Sequence, residues 1–253
     1  MDLQLAGLRA LVTGGTKGIG RAIVESLTAE GVAVAFCARN EGDVKAAVEE
    51  HTASGAKVTG RALDVADGPA LASWVEDAAQ ELGGLDIVVC NVSALAIGPT
   101  EDHWRSSFDV DMMHTVRTVN AAMPHLERSE SASIITVSSV SGREIDFAAP
   151  AYGPMKAAIV HYTQSLAFEL AGKGIRANTV SPGNTFFPGG VWNQVQDNNT
   201  ELFSQALALN PTGRMGKPEE IAYAVTMLAS PCASFITGTN LVADGALTRG
   251  VQL

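Results

Sequence analysis

The chain has 253 residues, 46% of them apolar, and a formal charge of −10 at pH 7. That balance argues against nucleic acid, which needs a basic footprint, and the longest apolar runs fall far short of a membrane span. No Pro/Gly/Ser-rich divider, repeat or low-complexity tract interrupts the chain, so one domain over residues 1–253 is expected. Cys37, Cys90 and Cys232 show no paired spacing, which reads as reduced thiols. The opening Met-Asp-Leu-Gln-Leu lacks a basic region and an apolar signal core, so a cytoplasmic protein is expected. The five histidines are scattered without ligand spacing, and no metal is expected.

Arg9–Thr13 reads as a short apolar strand, followed by Gly14-Gly-Thr-Lys-Gly18-Ile-Gly20 and the helical spacing of Ile19, Ile23 and Leu27. A strand, a glycine turn and a helix make a dinucleotide-binding opening, with the helix N-terminus facing a pyrophosphate. The spacing departs from the usual G-x-G-x-x-G, because Ile23 stands where its last glycine would be. Gly31–Arg39 is a second strand ending Cys37-Ala38-Arg39-Asn40, without the acid that a cofactor lacking a 2′-phosphate usually meets there. Arg39 and Lys17 are suited to hold a 2′-phosphate. NADP(H) is therefore favoured, with NAD(H) the alternative.

Glu41–Ser54 reads as a helix, Lys57–Leu63 as a strand ending at Asp64-Val65, and Ala70–Leu82 as a helix. Leu85–Asn91 is a fourth strand, Trp104–Leu126 one long helix, and Ser133–Ser138 a fifth strand. A helix from Tyr152 to Leu170, a strand over Ile175–Val180, a helix over Pro218–Leu228 and a seventh strand from Asn240 follow. The alternation predicts an α/β fold: a Rossmann-type, doubly wound, seven-stranded and mostly parallel sheet with helices on both faces. Ligands of such sheets sit beyond the strand C-termini, where the glycine turn, Asn91 and Ser139 all fall. Residues 184–210 have weak periodicity, a Pro-Gly-Gly and several aromatics, as suits a substrate lid.

Within Ser138–Lys156, Tyr152 and Lys156 are four apart and share one helix face. An ammonium beside a phenol favours the phenolate, so Lys156 is expected to lower the Tyr152 pKa. Tyr152 can then exchange a proton with a substrate hydroxyl or carbonyl, and Ser139 can hold the same oxygen. Pro154 is tolerable if the helix starts near Ala151, because the first helical N–H groups have no partner.

Together these residues closely resemble the short-chain dehydrogenase/reductase family, in its compact single-domain branch, over nearly the whole chain. Thr13-Gly-x-x-x-Gly-Ile-Gly20 resembles its cofactor turn, which places Gly14, Thr16, Lys17, Gly18, Ile19 and Gly20 against the cofactor. Asp64-Val65 resembles its adenine contact, Ser139 and Tyr152-x-x-x-Lys156 its catalytic set, and Pro182-Gly183 and Asp244-Gly245 are in register. The resemblance implies hydride transfer between NAD(P)H and a carbonyl/alcohol pair. Tyr152 would be the acid or base, Ser139 would position the substrate oxygen, and Lys156 would also bind the nicotinamide ribose. A homotetramer built through the Trp104–Leu126 and Tyr152–Leu170 helices is implied as well.

Four departures from the family pattern stand out. Asn-Asn-Ala-Gly is Cys90-Asn91-Val92-Ser93 here, and Asp111 replaces the asparagine of the catalytic tetrad. An acid at 111 can pair with Lys156 and shift a coupled Tyr/Lys titration, or do the asparagine's work of holding a water. Phe187 replaces a threonine, leaving Thr185 as the candidate on the nicotinamide side, and Met155 replaces a serine. Leu95, Ile97, Ile145, Phe147, Phe186, Phe187, Val191 and Trp192 lie in segments expected near the pocket. An apolar, partly aromatic pocket favours a bulky or aryl ketone. A 3-oxoacyl thioester is the runner-up, though an acidic chain disfavours an acidic carrier protein. A cofactor-binding regulator with weakened chemistry is the competing class, and an epimerase or dehydratase fits the glycine spacing poorly.

Overall fold

The computed structural model describes residues 2–148 and 150–251. Its strands are β1 (Arg9–Thr13), β2 (Ala33–Ala38), β3 (Val58–Ala62), β4 (Ile87–Cys90), β5 (Ser133–Val137), β6 (Arg176–Pro182) and β7 (Asn240–Ala243). Ala10 and Val12 of β1 enter one core and Leu11 the other, the two-residue alternation of a strand covered on both faces. In β2, Val34 and Phe36 oppose Ala35 and Cys37; in β4, Ile87 and Val89 oppose Val88 and Cys90. The strands join in the order β3-β2-β1-β4-β5-β6-β7, and each pairing is parallel.

Parallel neighbours require crossovers, supplied by α1 (Gly18–Ala29), α2 (Glu41–Ala53), α3 (Gly68–Leu82), α4 (Glu101–Ser107), α5 (His114–Leu126), α6 (Tyr152–Leu170), α7 (Val191–Asn198), α8 (Thr200–Ala208) and α9 (Pro218–Ala229). Helices α1, α2 and α9 close one face of the sheet, and α3, α5 and α6 the other. The chain leaves β1 toward β2 and β3, then returns to β4 on the opposite side. The crevice beyond β1 and β4 is the switch point at which ligands of such sheets bind.

Two elements differ from the sequence-based expectation. The expected single helix Trp104–Leu126 starts earlier, at Glu101, where the Thr100 side chain accepts the His103 N–H. It then opens into a π-helical stretch, Phe108–Met113, before α5 resumes. A π turn carries an extra residue and rotates the helix beyond it, and this one holds Asp111 fully buried. The weakly periodic stretch after Asn184 contains the two short helices α7 and α8, the second capped by the Asn199 side chain. A small core of Trp192, Ala206 and Met215 supports them, away from the main sheet. Tyr152 opens α6, so Pro154 sits in the first turn, where its missing N–H costs nothing.

Candidate active site

The glycine turn after β1 is shaped by close approach. A Cβ on Gly20 would lie 1.9 Å from the Gly14 carbonyl oxygen, so only glycine fits where α1 passes under the turn. Gly14 takes φ 75°, a left-handed value that favours glycine. Asn91, at the end of β4, fastens the turn: its Nδ2 donates to the carbonyls of Thr13 at 3.2 Å and Gly14 at 3.4 Å. The Asn91 N–H donates to Thr13 Oγ1 at 2.9 Å, and that oxygen also lies 3.2 Å from His114 Nε2. Burial pushes His114 down to about 4 despite help from the Val110 carbonyl, so it is a neutral structural partner of the turn.

A cleft of about 980 Å³ runs along the strand ends and unites most of the residues singled out above. At one end lie Gly14, Thr16, Lys17, Ile19, Gly20 and Arg39, then Asp64, Val65 and Asn91; at the other lie Ser139, Tyr152, Lys156, Pro182, Gly183 and Thr185. Lys17 and Arg39 are exposed, and neither forms an ion pair among the described residues. Gly18 is absent from the cleft wall because the Phe187 ring covers it: a Cβ on Gly18 would meet Phe187 Cζ at 2.4 Å. Asp111 is also off the wall, behind Lys156. The glycine turn and the two cations without ion-pair partners among the described residues fit a dinucleotide.

At the substrate end, Lys156 Nζ donates to the Val137 carbonyl at 3.1 Å and lies 3.2 Å from Asp111 Oδ1. The ion pair is close but off the line of a hydrogen bond, so Asp111 Oδ1 has no well-directed donor. Asp111 Oδ2 accepts the Ala94 N–H at 3.1 Å, anchoring the segment after Asn91. Burial opposes the Lys156 charge most strongly, but attraction to Asp111 and Tyr152 outweighs it and holds the ammonium above the ordinary lysine value. Lys156 Nζ stands 5.4 Å from the Tyr152 ring centre.

The phenol reverses one expectation. Tyr152 is held above its ordinary value, not below it. Burial is the main cause, and the charges of Asp111 and Asp146 add to it; Lys156 and the Ser139 hydroxyl pull the other way but do not prevail. Asp111 offsets much of the Lys156 charge on which the expected lowering depended.

Of the pocket candidates, Leu95, Ile97, Ile145, Phe147, Phe187, Val191 and Trp192 line the cleft. Phe147 and Trp192 meet edge to face at 5.5 Å, joining the loop before α6 to α7. Phe186 does not line it: the ring turns to Phe203, 6.0 Å away, and joins the small core under α7 and α8. Ser141, Glu144, Asp146, Gln205 and Arg249 also face the cleft. Periodicity passed over them because they are polar residues of loops and a short helix; the signal for Ser141 and Asp146 was their place in the Ser139–Tyr152 interval. Among the described residues, no group of three His, Cys, Asp or Glu side chains is placed to hold a metal, and no helix is long and apolar enough to cross a membrane.

A doubly wound parallel sheet, a glycine turn at its switch point and a Ser/Tyr/Lys cluster beside it define a nicotinamide-dependent oxidoreductase class. Residues 14–248 match the family model described as enoyl-(acyl carrier protein) reductase. The chain is 40% identical to isoepoxydon dehydrogenase patN of Penicillium expansum, over 98% of this chain and 97% of that protein. A short-chain dehydrogenase from Burkholderia cenocepacia J2315 solved in complex with NADP superposes with a TM-score of 0.86, at 30% identity, covering 96% and 99% of the two chains. A 7α-hydroxysteroid dehydrogenase complexed with NADH and 7-oxo glycochenodeoxycholic acid gives 0.89, at 26% identity, covering 97% and 96%. The chain belongs to the short-chain dehydrogenase/reductase family, whose members act as oxidoreductases on CH–OH and carbonyl groups.

Proposed function

We propose that this protein is an NADP(H)-dependent reductase of bulky, apolar or aryl ketones, working through Ser139, Tyr152 and Lys156. The observation that carries the reading is the convergence of those three side chains at one end of the cleft, with the glycine turn and two unpaired cations at the other. When bound, the nicotinamide supplies the hydride. Ser139 holds the substrate oxygen, and Tyr152 gives its proton to that oxygen as negative charge develops there. Lys156, buried and charged, stabilises the tyrosinate left behind. Asp111 holds Lys156 charged.

Gly14, Thr16, Gly18, Ile19 and Gly20 present backbone to the pyrophosphate, and Lys17 and Arg39 take the 2′-phosphate. Asp64 and Val65 meet the adenine, while Asn91, Pro182, Gly183 and Thr185 bracket the nicotinamide side. Residues 184–210 serve as the substrate lid within a single domain over 1–253. The aromatic Phe147–Trp192 contact and the apolar Leu95, Ile97 and Val191 favour a bulky ketone. An acyl-carrier thioester, the kind of partner named in the matching family description, is the second reading. Trp104, Phe108 and Phe168 are exposed on the α4–α5 region and α6, which supports a homotetramer through those helices; a monomer by light scattering would refute it.

The test is a paired fluorescence titration with NADPH and NADH. Tighter NADPH binding that Arg39→Ala and Lys17→Ala both weaken is the expected result. Equal or tighter NADH binding would overturn the phosphate assignment.

A further inference from the structure

Ser139 is held from behind by two residues outside the Ser139–Tyr152–Lys156 set. Its Oγ accepts the Ser141 N–H at 3.1 Å and donates to Ser141 Oγ at 3.3 Å. Ser141 Oγ donates in turn to Asp146 Oδ2 at 2.6 Å. The other carboxylate oxygen of Asp146 accepts the Ala148 N–H at 2.8 Å. The Ala148 carbonyl then accepts the Gly153 N–H at 3.1 Å, one residue beyond Tyr152 in α6. Gly153 is itself pressed on Ser141: a Cβ there would lie 2.8 Å from the Ser141 carbonyl oxygen.

A continuous path of hydrogen bonds therefore joins the end of β5 to the start of α6 by a shorter route than the loop between them. Its direction is set chemically. An ionised carboxylate only accepts, so Ser141 must donate to Asp146. Ser141 Oγ is then left with lone pairs for the Ser139 hydroxyl, and Ser139, one lone pair of which takes the Ser141 N–H, keeps the other for the cleft. The Ser139–Ser141 link is long, so that hydroxyl can turn toward a carbonyl at small cost.

We propose that Ser141 and Asp146 are positioning residues, fixing both the separation of Ser139 from Tyr152 and the resting direction of the Ser139 hydroxyl. The inference rests on the reading of Ser139 and Tyr152 as the pair that meets the substrate oxygen. Three charged groups act on the Tyr152 phenol: Lys156 from α6, Asp111 from the π turn and Asp146 from the loop. Glu144 and Arg249 line the same cleft. The Asp146 charge works to raise the phenol pKa, so removing it shifts the Tyr152 titration downward.

The experiment labels the tyrosine ζ-carbons and follows their NMR titration in the cofactor-free protein. The chain has three tyrosines, and the Tyr152 signal is the one lost in Tyr152→Phe. In Asp146→Asn the Tyr152 midpoint is expected to fall by about half a pH unit or more, with Tyr162 and Tyr223 unmoved; Asp146→Glu is expected to restore it. Alongside, NADPH-dependent reduction of 9,10-phenanthrenequinone by Ser141→Ala is expected to lose about tenfold or more in kcat, with NADPH affinity unchanged. An unmoved midpoint in Asp146→Asn, or an unchanged kcat in Ser141→Ala, would overturn the proposal. The NMR titration needs no turnover, so a wild-type protein that reduces no quinone would count against the proposed function while leaving this inference decided by the midpoint.

Discussion

Lys156 and Asp111 form a closed ion pair, 3.2 Å apart, with side chains only 2% and 0% exposed. A buried pair of this kind contributes little net stability, yet removing one partner strands the other charge, at a cost of about 3–5 kcal/mol. The π-helical stretch is what brings Asp111 under the ammonium. Both Tyr152 and Lys156 are held above their ordinary values with Asp111 among the causes. Asp111→Asn is therefore expected to lower both. In the proposed reduction Tyr152 gives up its proton, so the alkaline limb of the pH–rate profile should move to lower pH. A limb that stays in place would mean the Asp111 charge plays no part in the titration.

Tyr152→Phe removes a hydroxyl from a half-buried side chain and should leave the fold intact. Ketone reduction is expected to fall by about a hundredfold to ten-thousandfold, the usual worth of a positioned proton donor. NADPH affinity, read by fluorescence titration, should change little, because the glycine turn and the two cations are untouched. Turnover close to wild type would identify a different proton donor.

The alternating strands and the shared face of Tyr152 and Lys156 were legible because each is a local spacing. The raised Tyr152 pKa was not. A local reading sees Lys156 four residues on, but Asp111 and Asp146 reach the phenol only through tertiary folding. The π turn was equally hidden, since one extra residue in an otherwise helical pattern leaves the apolar spacing on either side intact. Helices α7 and α8 escaped notice because each is only two turns long and packs on a private core of Trp192, Ala206 and Met215. Phe186 and Phe187 are adjacent in sequence yet face opposite ways, toward Phe203 and Gly18, which composition alone does not separate.

Phe187 lies against both Gly18 and Gly190, where added Cβ atoms would meet its Cζ at 2.4 and 2.8 Å. The ring therefore bridges the glycine turn and Gly190, the residue that precedes α7. The ring covers the backbone of Gly18 alone among the glycines that the turn would offer a cofactor, so a cofactor seated on that residue is expected to displace it. Phe187→Ala is expected to raise both the association and the dissociation rates of NADPH, with Trp192 in α7 as the stopped-flow reporter. Unchanged rates would mean the ring does not gate the turn.

Asp86 joins three parts of the fold with one carboxylate. Its Oδ2 accepts the Arg9 N–H at 2.9 Å and Arg9 Nε–H at 2.7 Å, while its Oδ1 accepts from Arg9 Nη2 at 2.8 Å and from Ser129 Oγ at 2.6 Å. Burial pushes the carboxyl upward most strongly, but these donors together prevail and hold it below the ordinary aspartate value. A depressed folded-state pKa contributes stability that is fully present above the unfolded-state value, about 3.9, and is lost as pH falls through the folded one. Asp86→Ala removes all four acceptor contacts and is expected to cost about 2–4 kcal/mol at neutral pH. Urea unfolding should show that gap narrowing as both proteins are taken below about pH 4, where Asp86 of the unfolded wild-type chain begins to take up its proton. A gap that stays constant down to acid pH would mean that packing, rather than the ionised carboxylate, holds β1 to the start of β4.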